Sequence, residues 1–381
     1  MQRIALLAVL LATAAFAAED QAYFAIEAET SSTKMLGMPE IKLPPGFSLP
    51  PAAMAMMSGA PTRRLNIRLW SPSIAPAGAT ASVVPPPGLK QGDRLNLELY
   101  RPKPEQTGPE TPGTPGATPP AQQGEMTIKL YWGSSKTVKP GQPKVIKIGD
   151  LTPEQRAEAT AAQRRAAAAA GGEYFYKPGW TTAYWPTKAQ PGQIDPAATL
   201  AGQFALSSSY TGNVTLPVPE DVRFLDPFDL TSPKLSAKPD LTKFIDLAWK
   251  PIPSLLGANA MMMGMEGRNT IVIWSSSEVE TFPNMGGFMQ MAEVKQMVAE
   301  TKFMAPEQTE VFVPAGIFAK ASMPMLMMHG YGKGTALDAA QPLPRLQTKV
   351  SLMLTMGMPG GRGGMPPMGG GGAGDDGGDD N

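Results

Sequence analysis

The stretch RRLNIRLW, residues 63–70, alternates apolar with polar side chains and places Leu65, Ile67 and Leu69 on one face of an extended chain. Successive side chains of a strand point to opposite faces, whereas a helix repeats its apolar positions every three or four residues. The same period of two returns in RLNLELY (94–100), MTIKLYW (126–132) and KVIKIG (144–149). Because proline and glycine bound these runs, the pattern predicts a mainly β protein.

Two helices interrupt the predicted strands. Thr152 and Gln155 form a capping-box pattern around Pro153, and an alanine-rich body follows, so a connecting helix is expected over 153–170. A second, short helix is expected within GFMQMAEVKQMVAETKF, residues 287–303.

The first 17 residues are typical of a secretory signal peptide. Arg3 precedes an apolar run, which ends at the small-x-small pattern of Ala15 and Ala17. We therefore expect an exported protein, placed in the periplasm, at the cell surface or outside the cell, with no transmembrane segment in the mature chain. The chain has no cysteine, so its stability must come from burial and not from disulfides.

Composition divides the mature chain into four parts. A β-rich N-terminal domain is predicted over 18–235, with a proline-rich disordered insertion at 101–124, and a second β domain over 236–356. Residues 357–381 are rich in glycine, methionine and aspartate and are predicted to be a disordered tail.

The second domain resembles fibronectin type III and immunoglobulin-like modules. The resemblance rests on an alternating strand that ends in Trp249, a Pro-x-Pro step at Pro251 and Pro253, and further alternating runs, over about residues 240–356. Together with the β-rich N-terminal part, it implies two sandwich-type domains, with the alanine-rich connecting helix over 153–170 inside the first. Because sandwich folds host many unrelated roles, the resemblance implies no particular function.

Composition also narrows the function. The formal net charge is zero, which gives no broad attraction to nucleic acid, so no nucleic-acid partner is expected. His329 is the only histidine, and no G-x-S-x-G elbow accompanies it, so a hydrolase triad is poorly supported. We expect a non-enzymatic binding or structural protein at the cell envelope or outside the cell, with an unknown protein or glycan as partner and no cofactor.

Clustered methionines suggest an alternative, a protein that handles Cu(I) or Ag(I). Thioethers are soft ligands and need no deprotonation. The candidate ligands are Met261, Met262, Met263, Met265, Met325, Met327, Met328 and His329. Methionine also fills irregular gaps in ordinary cores, so core packing of the same residues stays open. In that interpretation Met323, Met325 and Met327, and likewise Leu352, Leu354 and Met356, form inward faces of strands.

An aromatic stretch suggests a further alternative, a glycan-binding or carbohydrate-active protein. Exposed aromatic rings stack on sugar rings and suit wet interfaces. The candidate residues are Tyr174, Tyr176, Trp180, Tyr184 and Trp185. Burial of both tryptophans would remove this strip.

Overall fold

The computed structural model describes residues 22–37, 59–101, 126–155, 179–237, 239–281, 288–336 and 346–356. The predicted mainly β architecture is confirmed. The strands are β1 (Tyr23–Met35), β2 (Thr62–Ser71), β3 (Ala81–Val84), β4 (Leu95–Asn96), β5 (Glu98–Tyr100), β6 (Thr127–Trp132), β7 (Lys144–Lys147), β8 (Thr181–Trp185), β9 (Gly202–Ser208), β10 (Val214–Val218), β11 (Leu230–Ser232), β12 (Ile245–Trp249), β13 (Leu255–Glu266), β14 (Thr270–Ser275), β15 (Glu310–Val313), β16 (Ala321–Gly332) and β17 (Leu346–Thr355).

A ten-stranded mixed sheet forms the centre, in the order β5-β8-β2-β1-β17-β16-β13-β14-β6-β7. Adjacent strands within this sheet are antiparallel, except for the parallel pairs β1–β17 and β14–β6. Each parallel pair joins a strand from the N-terminal part of the chain to one from the C-terminal part. The sheet therefore draws strands from both sides of residue 235, where the sequence predicts a domain boundary.

Two smaller sheets accompany the central one, a four-stranded sheet β10-β9-β3-β4 and a three-stranded sheet β11-β12-β15. One apolar cluster joins the inward side chains of β1 and β2, such as Ile26 and Ile67, to Phe204 and Leu216 of the four-stranded sheet. A second cluster joins β13, β16 and β17 to the three-stranded sheet around Trp249. The expected pair of separate sandwiches is thus replaced by one large sheet with two small ones.

The predicted alternation in β2 is confirmed, since Leu65, Ile67 and Leu69 are all buried. Near the C-terminal end of β16, close packing requires glycine at position 330. A Cβ built there would lie 2.7 Å from Leu255 Cδ1 and 2.8 Å from Val350 Cγ1. This glycine lets β16 pass tightly between its neighbours and the core beneath it.

The predicted helix start at residue 153 is present. The amide of Thr152 donates to Gln155 Oε1 at 2.9 Å, and the amide of Gln155 donates to Thr152 Oγ1 at 3.3 Å, which is the reciprocal capping box. The rest of that helix lies outside the described residues. So do the predicted signal peptide, the tail and all of the proline-rich insertion except Arg101.

The second predicted helix, α1, spans Met291–Ala299 and is therefore shorter than the stretch 287–303. Val294 and Val298 lie against Gly257 of β13, where a Cβ would approach Val298 Cγ2 to 2.6 Å. Within the described residues, no helix is long and apolar enough to cross a membrane.

Candidate functional site on the outer sheet face

The central sheet has a core face and an opposite face, here called the outer face. The helix α1 covers one end of the outer face, where Met289, Val294, Phe303 and Tyr331 form a small cluster. The other end carries half-buried methionines. Between the two ends lies a group of polar and charged side chains.

The methionine end of the outer face is built by strand register. Met261 of β13 lies opposite Met327 of β16, and Met327 lies opposite Met353 of β17. Directly opposite residues have Cβ atoms about 5 Å apart, so three thioethers from three adjacent strands form one row. We call Met261, Met327 and Met353 the methionine row. Met353 is 38% exposed, so solvent reaches the row.

A second line of methionines extends this surface. Met263 lies opposite Met325, while Met265 lies opposite Ser322 beyond an irregularity in the β13–β16 register. All three of these methionines are half-buried. Five of the seven methionines predicted as metal ligands are thus brought together, and Met353, which was not among the predicted ligands, joins them. Met353 alternates with Leu352 and Leu354 in the sequence, and this pattern could have placed it on the face opposite to those two leucines.

The prediction of Met262 and Met328 as metal ligands is wrong, because both side chains point to the core face of the sheet. Both are fully buried, at 0% exposure, within the core cluster around Trp249. Their alternation with outer-face neighbours explains this, because adjacent strand residues point to opposite faces. Leu352, Leu354 and Met356 are buried as expected, but the inward residues of β16 are Leu326 and Met328 instead of Met323, Met325 and Met327.

His329 occupies the next position along the outer face. It lies between Asn259 of β13 and Ser351 of β17, in the row adjacent to the methionine row. His329 Nδ1 and Asn259 Oδ1 are both buried and, within the described part of the chain, have no hydrogen-bond partner. Most buried polar atoms in proteins have a partner, so two such atoms in one row call for an explanation.

A buried charged cluster flanks His329 on the side away from the methionines. Lys349 Nζ lies 3.3 Å from Glu27 Oε2 and 4.0 Å from Glu29 Oε1, and the Lys349 and Glu27 side chains are only 6% and 7% exposed. Ser351 Oγ donates to Glu29 Oε1 at 2.5 Å. Two carboxylates and one ammonium thus lie close to the imidazole on the outer face.

These charges set the protonation of the cluster. Burial alone would lower the pKa of Lys349, but Glu27 and Glu29 outweigh it and raise that pKa above its usual value. Burial, and then the positive charge of Lys349, lower the pKa of His329 to about 4 against the opposing effect of Glu27. The imidazole is therefore neutral near pH 7, with one nitrogen free of a proton.

The aromatic stretch does not form the expected exposed strip. Trp180 and Trp185 are buried, at 6% and 0% exposure, and Tyr184 is half-buried beneath Tyr100. Trp185 belongs to the core between the central and four-stranded sheets, so its ring is unavailable to a sugar. Tyr174 and Tyr176 lie outside the described residues.

Among the residues described, no three histidine, cysteine or carboxylate side chains are grouped so as to hold a metal ion. The acidic stretch at 220–229 supplies surface ion pairs: Asp221 binds Lys333 at 2.9 Å and Asp229 binds Lys250 at 2.7 Å. The donor set of the outer face is instead one of thioethers and an imidazole.

Comparison with known proteins adds no family. No family model, curated protein or solved structure matches the chain.

Proposed function

We propose that this chain is an exported, non-enzymatic binding protein whose methionine row, with His329, binds a soft monovalent metal ion, Cu(I) or Ag(I). The observation that carries the proposal is the register of β13, β16 and β17. That register sets Met261, Met327 and Met353 side by side on a face that solvent reaches. Next to them lies an imidazole nitrogen that has no hydrogen-bond partner among the described residues.

The chemistry of these groups suits such an ion. Thioether and imidazole ligands favour Cu(I) over hard cations, which prefer oxygen. Methionine sulfur carries no proton to lose, and His329 is already neutral near pH 7 because its pKa is lowered to about 4. Binding would therefore release no proton from these four side chains near neutral pH.

The charged cluster of Glu27, Glu29 and Lys349 supports the neutral state of the imidazole. At His329 the positive charge of Lys349 outweighs the opposing effect of Glu27, so the cluster helps to keep one ring nitrogen free of a proton and able to bind a metal ion. We infer that the cluster also fixes the position of Ser351 and thereby the neighbouring imidazole.

The proposed location agrees with this chemistry. Residues 1–17 have the pattern of a signal peptide, and the chain has no cysteine thiol that would compete for the metal or be oxidised. Thioethers and imidazole, unlike thiols, cannot be lost to disulfide formation in an oxidising compartment.

The test is an anaerobic titration of the mature protein with Cu(I) in competition with bathocuproine disulfonate. A triple variant, Met261→Leu with Met327→Leu and Met353→Leu, removes the row with little change in side-chain volume. The matched control, Met262→Leu with Met328→Leu, alters the same strands on the core face. We expect one saturable site that the triple variant loses and the control keeps.

A different result would overturn the proposal. If the triple variant and the control compete for Cu(I) equally well, the row is not the ligand set. If neither the natural chain nor the control takes Cu(I) from the competitor, the outer methionines are an apolar surface without a metal role.

A further inference from the structure

A cavity lies on the core face of the central sheet, away from the methionine row. It has a volume of about 710 Å³ and is bounded by the ends of β1 and β2, the chain at 186–196, and Leu225 with Pro227. It lies where the apolar cluster of the four-stranded sheet gives way to that of the three-stranded sheet. Small-molecule sites of about 300–1,000 Å³ commonly occupy such junctions.

Two hydroxyl groups of β1 beside this cavity have no hydrogen-bond partner among the described residues. Thr30 and Ser32 alternate along β1 and line the cavity with exposures of 2% and 5%. Within the residues that the structure describes, neither Thr30 Oγ1 nor Ser32 Oγ has a hydrogen-bond partner, although both atoms are buried. Leaving a buried hydroxyl without a partner costs free energy, and a ligand that bonds to it removes that cost.

The positively charged side chain of Arg63 lies beside these hydroxyls. Arg63 of β2 lies directly opposite Thr30 and also lines the cavity. One of its amino groups donates to the Ala198 carbonyl at 3.0 Å, and its guanidinium lies 4.9 Å from the centre of the Phe224 ring. Arg63 forms no ion pair with a carboxylate of the described residues, although Asp226 and Asp195 act on it through space. Its remaining N–H donors can serve a ligand.

The other walls are mostly apolar. Pro186, Pro191, Pro196 and Pro227 line the cavity together with Leu65 and Leu225. Proline rings and leucine side chains offer no hydrogen bonds, so they suit the hydrocarbon part of a ligand. Apart from Gln193, the polar residues of the lining belong to the β1 and β2 side. Besides Thr30, Ser32 and Arg63 they are Ser31, Thr33, Thr62, Arg64 and Asn66.

We propose that this cavity binds a small organic carboxylate with an apolar body. The carboxylate accepts hydrogen bonds from the Arg63 guanidinium and, once the Thr30 and Ser32 side chains turn towards the cavity, from their hydroxyls, while the body lies against the proline and leucine walls. This inference is independent of the methionine row, because the two sites lie on opposite faces of the central sheet.

The test measures binding of hexanoate and of hexanamide to the full mature chain by isothermal titration calorimetry. The variant Thr30→Val removes one hydroxyl at nearly constant volume, and Arg63→Lys keeps the charge but removes the guanidinium. Thr215→Val, on an exposed position of β10, is the matched control. Hexanoate should bind saturably, at least tenfold more tightly than hexanamide.

The variants test which side chains bind the ligand. Thr30→Val should weaken hexanoate binding at least fivefold while the melting temperature stays the same or rises, because the lost hydroxyl has no internal partner. Arg63→Lys should also weaken binding, and Thr215→Val should not. The proposal is overturned if hexanoate does not bind at 10 mM, a test concentration set at roughly the weak end of specific binding. The proposal is also overturned if hexanamide binds as tightly as hexanoate, or if Thr30→Val binds hexanoate as tightly as the natural chain.

Discussion

At the residue scale, the charged cluster is the most demanding feature of the outer face. Lys349 and Glu27 are nearly fully buried and bonded to each other at 3.3 Å. Removing two ions from water is expensive, and their attraction offsets that cost only when both are present. The pair also links β1 to β17, 322 positions apart along the chain. The cluster therefore specifies register between strands from opposite ends of the protein.

Replacing Lys349 by alanine should leave the buried Glu27 carboxylate without its ammonium partner. We expect the free energy of unfolding to fall by about 3–5 kcal/mol, the usual cost of breaking a buried pair. Urea denaturation measures this, and adding Glu27→Gln to the variant should restore part of the loss. Lys250→Ala, which breaks the exposed pair with Asp229, should have little effect. Equal losses from Lys349→Ala and Lys250→Ala would contradict the role given to the cluster.

The lowered pKa of His329 predicts how the stability of the metal-free protein depends on pH. Its pKa is about 4 when folded, against 6.5 as the ordinary value, so the unfolded chain binds more protons between these pH values. The free energy of unfolding should therefore fall as the pH drops from about 6.5 to 4, by up to about 3 kcal/mol from this group. Above pH 6.5 the contribution is complete and constant.

The measurement is urea denaturation of the natural chain and of His329→Gln at several pH values. The difference between the two curves isolates the histidine, because other titrating groups are shared. That difference should change between pH 6.5 and 4. Parallel curves throughout this range would show that the imidazole is not held neutral by the fold.

At the scale of elements, strand β16 shows what alternation can and cannot predict. The period of two in MPMLMM predicts a strand with two distinct faces, and the structure has that strand. It does not predict which face is inward, because Met325 and Met327 are as apolar as Leu326 and Met328. Tertiary packing decides, since only Leu326 and Met328 meet the core of the three-stranded sheet. The buried charge pair was missed for a similar reason, because Glu27 and Lys349 meet only through β1–β17 pairing.

Neighbouring methionines on β16 should therefore respond very differently to truncation. Met328→Ala should reduce the free energy of unfolding by about 2–5 kcal/mol, because it leaves a cavity in a packed core. Met327→Ala, on the outer face, should cost less than about 1 kcal/mol, since the side chain is only half-buried. Chemical denaturation of the two single variants checks this. A reversed order would mean that the faces of β16 are assigned incorrectly.

At the scale of the whole molecule, the central sheet ties the two halves of the chain together. The predicted boundary at 235/236 separates β1 from β17 and β6 from β14, yet each of these pairs is hydrogen-bonded in parallel. Local sequence patterns predict strands, but they do not predict which distant strand will pair with each of them. The fold class was therefore accessible from sequence, while the arrangement in one large sheet and two small ones was not.

Unfolding should accordingly be a single cooperative transition. Because β1, β2 and β8 share a sheet with β13, β16 and β17, neither half can unfold without exposing the core of the other. Calorimetry and two spectroscopic probes should give one coincident midpoint. Two separate transitions, assignable to residues 18–235 and 236–356, would instead support independent domains.

The most direct measurement of the central claim is an NMR titration of the mature protein, labelled with ¹³C at the methionine methyl groups, with Ag(I). Single leucine variants assign the signals. The proposal predicts that the methyl signals of Met261, Met327 and Met353 shift together and saturate at one equivalent, while those of Met262 and Met328 stay in place. The claim is contradicted if the three row signals do not move, or if they move no more than methionines elsewhere in the chain.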